Sequence, residues 1–307
     1  MNRLTNIEQW YKKEIFKMKY IDLHVHSNIS DGTLSPTELV EEACKCKVAA
    51  FALTDHDSVN GVEEAIEAAK NLAKQGQNVE VIAGAEISVA YKNKDIHMLG
   101  LFLDHHNSTL IDTLQAAKIE RDKRNEKMIQ NLADAGLDID IERIYEKEGK
   151  ETILTRAHIG KFLYETGQVS SVNDAFKKYL SADGPYYVPR KYLSPQKAIY
   201  LIKQAGGIPV LAHPLIYGLP EQELDILIGT LKEQGLEGIE VFYSSNTGFD
   251  EGIVRRYANR YNLIMTGGSD FHGANKPAIS LGSGRGNLRI PYSVLDNIRT
   301  HLSQRDI

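Results

Sequence analysis

Cysteine is scarce in this sequence: 307 residues carry two, Cys44 and Cys46. They stand two apart in a predicted helix, where positions i and i+2 do not share a face, so no bridge between them is expected. Free thiols fit a reducing, cytoplasmic setting. Long hydrophobic runs are also lacking. No apolar stretch approaches the ~18 residues of a membrane helix. The N-terminal stretch with Lys12, Lys13, Lys17 and Lys19 has no apolar core, so a signal peptide is not expected. Nor is there an excess of positive charge: 36 Lys and Arg stand against 41 Asp and Glu, net −5. Broad electrostatic binding of nucleic acid finds no support in that balance, which leaves room for a local basic pocket holding one phosphate. Internal repeats, a G-x-S-x-G elbow and a catalytic cysteine setting are missing, so no protein nucleophile announces itself.

What is present is an alternation of strand and helix. Residues 1–19 mix charge with Trp10, Tyr11, Ile15 and Phe16 and read as an N-terminal extension, a short amphipathic helix or ordered tail. Strands are expected at Tyr20–His26, Val48–Thr54, Val79–Ala83, Asp95–Leu103, Ile208–Ala212, Leu236–Phe242 and Leu263–Gly267. Val48–Thr54 is a continuous apolar run, as a strand buried on both faces should be. Most strands precede a helix, and Ser35, Pro36 and Glu38 spell out a capping box at the first one. From about Asp104 to Tyr192 the rhythm breaks into charged, largely helical sequence, with one long helix near 108–135 and others near 156–165 and 172–180. The expected organisation is a barrel domain from 20–103 and 193–307, interrupted by a helical insertion at 104–192. The alternation implies a parallel sheet. Polar residues of metal-binding type follow nearly every apolar run, which favours a β/α barrel, whose strand ends converge on one face, over an open sheet with a single switch point.

Those polar residues are His24, His26, Asp31, His56, Glu86, His97, His213, Asp270 and His272. His24 and His26 lie two apart on a strand and therefore on one side of it. Asp270-x-His272 repeats the spacing. Imidazole and carboxylate together suit Zn²⁺, Mn²⁺ or Fe²⁺. Nine groups are too many for one ion and suit two or three held a few ångströms apart, with a carboxylate such as Glu86 bridging. Each residue alone has a plainer role open to it: His97 as a core histidine, His213 in a loop, Asp31 in a turn, Glu86 as a local cap. Their joint appearance at strand ends is what carries the assignment. His105, His106 and His301 read as surface residues. Asp55 and Asp57, beside His56, serve either to orient ligands or to shape a turn. His158 and Arg156 sit at a helix start that would suit an anion or be an ordinary cap.

With these residues in place, the chain resembles the PHP family, named for polymerase and histidinol phosphatase domains. The resemblance rests on DLHVHSNISDGT (22–33), LTDHDSVNG (53–61), GAEIS (84–88), DIHMLG (95–100), VLAHP (210–214), IEVF (239–242) and GGSDFHG (267–273). It implies an α/β fold, a distorted (β/α)₇ barrel with an inserted helical domain, and a trinuclear metal site. One ion is implied on His24, His26, Glu86 and Asp270, a second on Asp31, His56 and His272, a third on Glu86, His97 and His213. The SDGT form and the insertion resemble the free-standing branch acting on nucleotides, including 3′,5′-bisphosphonucleotides and short RNA. Family members acting on histidinol phosphate often carry His where Asp31 stands.

The chemistry expected is hydrolysis of a phosphomonoester by a metal-bound hydroxide, since clustered divalent ions activate water and neutralise charge on phosphate. Arg156, His158, Arg190 and Lys191 are candidates to bind the substrate's remaining phosphate, with a solvated charge as the plain alternative for each. Tyr186 and Tyr187 suit either base stacking or packing. Other outcomes stay open: a histidinol phosphatase, a 5′–3′ exonuclease on short RNA, or a metal-stabilised module without turnover.

Overall fold

Seven strands neighbour one another in simple chain order: β1 (Tyr20–Val25), β2 (Val48–Leu53), β3 (Glu80–Tyr91), β4 (Lys94–Leu101), β5 (Ile208–Leu211), β6 (Gly238–Tyr243) and β7 (Ile264–Gly268). The computed structural model describes residues 19–92, 94–181, 184–189 and 193–305. The expected N-terminal helix and the positions Arg190 and Lys191 therefore lie outside the described residues. The last strand returns to the first. Asp270 N–H donates to the His24 carbonyl at 2.9 Å, and His26 N–H donates to the Phe271 carbonyl at 3.0 Å. These bonds nearly close the sheet into a barrel, and they do so through residues that flank and include the expected ligands.

The seam needs a close approach of backbones. A Cβ on Gly268 would stand 2.3 Å from the His24 Cβ, so only glycine lets β7 lie against β1 here. Asp22 stitches the seam from within. Its buried carboxylate accepts from Ser269 N–H at 2.8 Å, the Ser269 hydroxyl at 2.5 Å and Gly282 N–H at 2.7 Å.

One expectation fails. The sheet is not wholly parallel, because β4 runs antiparallel to both β3 and β5. β3 does not stop near Ala83 but continues to Tyr91 and turns back through Lys92, whose φ is 53°. No helix separates the two strands, and a hairpin is the short connection that antiparallel neighbours permit. Glu86 consequently sits within a strand rather than beyond its end. Its face alternates with Ile87 and Val89, which are buried against Ala198, Ile199 and Ile202 of the helix outside.

Ten helices occur among the described residues. α1 (Pro36–Lys45) has the expected capping box from Ser35 and Glu38, and α2 (Val62–Ala73) follows β2. Between β4 and β5 come α3 (Ser108–Asp134), α4 (Ile141–Glu148), α5 (Arg156–Glu165) and α6 (Val172–Ala175), the last continued by a wide turn over Phe176–Leu180. α4 has no counterpart in the expected elements. It is short and charged and buries Ile144 alone, so it offers little apolar surface to mark it in the sequence despite an N-cap at Asp140. This segment has its own apolar core, built on Met128, Leu132, Leu154, Ile159, Leu163 and Leu180. α7 (Pro195–Gln204), α8 (Glu221–Glu233) and α9 (Gly248–Arg260) line the outside, and α10 (Ser293–Arg305) packs its Leu295 and Ile298 against Ile21, Ala50 and Ile208 where the strands begin.

Candidate metal centre

The nine expected residues come from six strands and meet at one end of the barrel. His24 lies on β1, with His26 and Asp31 in the loop after it. His56 follows β2, Glu86 is on β3, His97 on β4, His213 follows β5, and Asp270 and His272 follow β7. Five imidazoles form a ring of neighbours: centroids lie 5.2 Å apart for His24 and His26, 4.8 Å for His26 and His56, 5.0 Å for His56 and His97, 5.3 Å for His97 and His213, and 5.6 Å for His213 and His24. His272 stacks on His26 at 4.1 Å. Glu86 reaches into this ring. Its Oε1 faces His97 Nδ1 at 2.8 Å and His213 Nε2 at 3.0 Å, while Oε2 faces His56 Nδ1 at 3.1 Å, His26 Nε2 at 3.3 Å and His24 Nε2 at 3.5 Å.

Among these nine residues, four groups of ligand atoms lie close enough to share an ion: His26, Asp31, His56 and His272; His24, His26 and Asp270; His24, Glu86 and His213; and His56, Glu86 and His97. The groups overlap at His24, His26, His56 and Glu86, which are placed to serve neighbouring ions. This partition differs in detail from the three sets that the resemblance implies. His26 stands with Asp31 as well as with His24 and Asp270, Glu86 leaves that last group, and His97 and His213 fall into separate groups.

The burial test favours cations here. His24 Nε2, His26 Nε2, His56 Nδ1, His213 Nδ1 and Asp31 Oδ1 are buried and make no hydrogen bond. His24, His26 and His56 approach Glu86, and Asp31 approaches His272, without hydrogen-bond geometry; a buried polar atom left so costs about 1–3 kcal/mol, so this cluster makes a poor structural element and a good ligand set. The electrostatics agree. Burial alone would depress His24, but Glu240, Glu86 and Asp270 hold its pKa well above the usual 6.5. Burial alone would raise the carboxyl of Glu86, but His97, His56 and His24 hold it well below the usual range. Asp31 and Asp270 are lowered in the same way, Asp31 by His56 and His272, Asp270 by Lys276 and His272. His56 goes the other way, down to about 3, because desolvation outweighs its carboxylates.

Backbone strain collects at the same place. Asp57, His213 and Asp270 adopt φ of 48°, 25° and 58°, in the region that favours glycine. Such conformations persist where the surroundings over-determine them, commonly at functional sites.

The groups that orient the ligands are mostly ones the sequence reading passed over. Glu240, fully buried on β6, accepts from His24 Nδ1–H at 3.0 Å and from the His213 backbone N–H at 2.8 Å. It therefore fixes the His24 tautomer that leaves Nε2 to the cavity. An acid inside an apolar strand, LEGIEVF, was the available signal. His272 Nδ1–H donates to the Asp270 carbonyl at 2.9 Å, which turns its Nε2 toward Asp31. Asp55 accepts from Ser27 and Ser30 and so holds the loop after β1, and Ser30 Oγ lies 3.5 Å from His26 Nδ1. Asp57 accepts from Ser88 N–H at 2.8 Å and pairs with buried Arg121 of α3.

We expect Glu240→Gln, which keeps the acceptor but removes the charge, to weaken metal binding by about 10- to 100-fold, the usual loss for an outer partner of a ligating histidine. Competition with a chromophoric chelator measures it; an unchanged affinity would show that Glu240 does not tune His24.

The helical segment closes over one side. Thr155 Oγ–H donates to Asp31 Oδ2 at 3.1 Å, Ile153 N–H to the Ile29 carbonyl at 2.9 Å, and the Thr152 hydroxyl to the Asn28 carbonyl at 3.2 Å. His158, nearly buried, accepts from Thr155 N–H through Nδ1 at 2.9 Å, leaving its Nε2 without a hydrogen bond. Arg156 donates to Asp95 at 2.9 Å and to the Leu180 carbonyl at 3.1 Å, and packs against the rings of Phe176 and Tyr187. His105 and His106 pair with Glu63, and His301 with Glu237, all away from the cluster.

Comparison with known proteins places this arrangement. The model of the PHP domain matches residues 22–270. A 5′-3′ exoribonuclease of Haemophilus influenzae is 36% identical over 256 residues, 83% of this chain and 90% of that protein. A 3′,5′-nucleoside bisphosphate phosphatase of Chromobacterium violaceum is 33% identical over 255 residues, 83% of this chain and 88% of its own. A solved structure from Bifidobacterium adolescentis, described as a metal-dependent phosphoesterase, superposes with a TM-score of 0.79 at 30% identity, covering 91% of this chain and 95% of the other.

Proposed function

The chain belongs to the PHP-domain family, and from that premise we propose that it hydrolyses a phosphomonoester of a small nucleotide, a 3′,5′-nucleoside bisphosphate in the first place. The observation that carries the reading is the cavity of nine ligand residues with buried, unpartnered ligand atoms. All nine expected ligands are present, which argues against a degenerate module that has lost turnover. Two or three divalent ions, Mn²⁺, Fe²⁺ or Zn²⁺, would be held by His24, His26, Asp31, His56, Glu86, His97, His213, Asp270 and His272; when bound, such ions lower the pKa of water toward neutrality and offset charge on phosphate oxygens. The chain's own part is to hold His24 and His272 in fixed orientations with Nε2 toward the cavity, through Glu240 and the Asp270 carbonyl, and to keep three carboxylates ionised in a buried setting.

The second phosphate is assigned to the inner edge of the helical segment, where Arg156 and His158 open α5; Arg190 and Lys191 belong to the same proposal. Arg156 already serves Asp95, so holding a phosphate would mean exchanging that partner. Replacing Arg156 by alanine should raise KM for a bisphosphorylated substrate far more than for a monophosphate, and equal effects would remove it from the role. A cytoplasmic location completes the reading, supported by two unbridged cysteines, Cys44 and Cys46. No helix among the described residues is long and apolar enough to cross a membrane.

The test is phosphate release from adenosine 3′,5′-bisphosphate by Mn²⁺-loaded protein, beside His24→Ala. Release that disappears in the variant is expected. No release from folded, metal-replete protein would exclude this substrate and turn the assay to histidinol phosphate and short RNA. The exoribonuclease relative gives short RNA its own weight; mononucleotides rather than inorganic phosphate would then be the product.

A further inference from the structure

Asp270 divides its carboxylate between two sets of neighbours. Oδ1 faces the histidines, with His272 Nδ1 at 3.4 Å, His26 Nε2 at 3.5 Å and His24 Nε2 at 3.7 Å. Oδ2 accepts from Lys276 Nζ at 2.6 Å and from the Tyr243 hydroxyl at 2.9 Å. The lysine differs from the tyrosine in two respects. An ammonium has three donors, of which one goes to Asp270. Its side chain also keeps 38% of its surface in solvent, whereas Tyr243 is buried. The charge also feels Asp31 and Glu86, carboxylates of the other ligand groups.

The lysine is held in place by its loop. Asn275 Nδ2 donates to the Asp31 carbonyl at 2.8 Å, and Ala274 N–H donates to the Thr33 hydroxyl at 2.9 Å. Gly273 has φ of 61°, and a Cβ there would meet Thr33 Oγ1 at 2.1 Å. The turn over Gly273–Asn275 thus ties the loop after β7 to the loop after β1 and sets Lys276 at the cavity's rim. A phosphate dianion entering over the cluster meets a positioned, partly solvated cation at the wall, the kind of point charge with which lysine binds phosphate.

We propose that Lys276 is a phosphate-binding residue of this site: held on Asp270 Oδ2, its ammonium takes a non-bridging oxygen of the phosphoryl group, while Tyr243 only steadies Asp270. The inference rests on the phosphoesterase reading.

The experiment uses inorganic phosphate as the probe. Its affinity for metal-replete protein is measured by calorimetry in the wild type, Lys276→Met, Lys276→Arg and Tyr243→Phe, with metal content determined on the same samples. Loss of one charge-assisted hydrogen bond predicts phosphate binding about 10- to 100-fold weaker in Lys276→Met. Its metal content should stay at the wild-type level, and Lys276→Arg should recover part of the loss. Tyr243→Phe, which loses a bond to Asp270 but no cation, should weaken phosphate only in proportion to any metal it loses; a loss as large as that of Lys276→Met at full metal occupancy would overturn the lysine's separate role. Equal phosphate affinity in Lys276→Met and wild type would overturn the assignment. So would a loss of phosphate matched by a loss of metal, which would make Lys276 a support for Asp270 and nothing more. A wild type that binds metal but no phosphate would remove the underlying reading together with the lysine's role.

Discussion

Glu86→Gln is expected to lower turnover by about 10³-fold or more and to lose metal, although glutamine has nearly the same shape. The reason is the number of partners on one side chain. Its two oxygens face nitrogens of five histidines between 2.8 and 3.5 Å, and it belongs to two of the four ligand groups. Removing a single electrostatic group from a catalytic site costs about 10²–10³ in rate; here the same change removes a shared ligand. The glutamine amide would also turn a donor toward nitrogens whose lone pairs should face an ion. Turnover with the best substrate and metal content by elemental analysis are the two measurements. A Glu86→Gln protein with full metal and near-normal turnover would show that the centre is organised around some other residue.

The second large effect concerns the chelated protein, whose stability should peak near pH 6.5 and fall on both sides. Above that pH the governing groups are His24 and His97, whose pKa values are raised in the folded state by carboxylates that outweigh burial. A raised histidine stabilises fully below its unfolded value of about 6.5, and that contribution disappears as pH climbs through the folded value. On the acid side His26 and His56, lowered by burial, resist protonation in the folded state and so favour the unfolded chain as pH falls below about 6.5. Asp31, Glu86 and Asp270 add to the acid-side loss, since depressed carboxyls give up their stabilisation as they protonate. His24 would give up its proton to a bound cation, which would also compensate the three carboxylates, so loading should flatten the alkaline side and release protons. Thermal melts from pH 5 to 9, with chelator and with Mn²⁺, check this. A chelated protein whose melting temperature holds or rises from pH 6.5 to 8.5 would contradict the charge arrangement.

The site was legible because polar residues stand out against the apolar strands that deliver them. His24, His56, His213 and Asp270 each follow or interrupt a run that otherwise reads as core, and no partner need be known to notice them. The barrel was legible for the same reason, since strand and helix periods alternate cleanly on both sides of the insertion. The antiparallel β4 was not. Local pattern marks a strand but carries no direction, and the hairpin through Lys92 has none of the Asn-Gly or Gly-Gly chemistry that announces a tight turn. Glu240 and Asp22 were within reach as acids embedded in LEGIEVF and YIDLHV. Arg121 was not: it lies in KIERDKRNEK, where a buried arginine looks like its solvated neighbours until the pairing with Asp57 is seen. Lys276 was hidden likewise, because a cation's role depends on what stands across from it, 6 positions away in sequence for Asp270 and far more for Asp31.

The seam between β1 and β7 has a consequence for how the chain reaches its native state. Asp22 and Ser269, bonded there, lie 247 positions apart, and the expected ligands include residues from both sides of that seam. Closing so long a loop is entropically costly, though the cost grows only with the logarithm of its length, and non-local pairing slows folding. A nascent chain will have made β1 to β6, and the whole helical segment, before the partner of Asp22 has left the ribosome. Until then His24 and His26 face a cavity lacking Asp270 and His272, and only an incomplete ligand set is on offer. On the proposed ligand set, full metal capture would thereby be deferred to the end of synthesis, where it would act as a clasp between the first strand and the last.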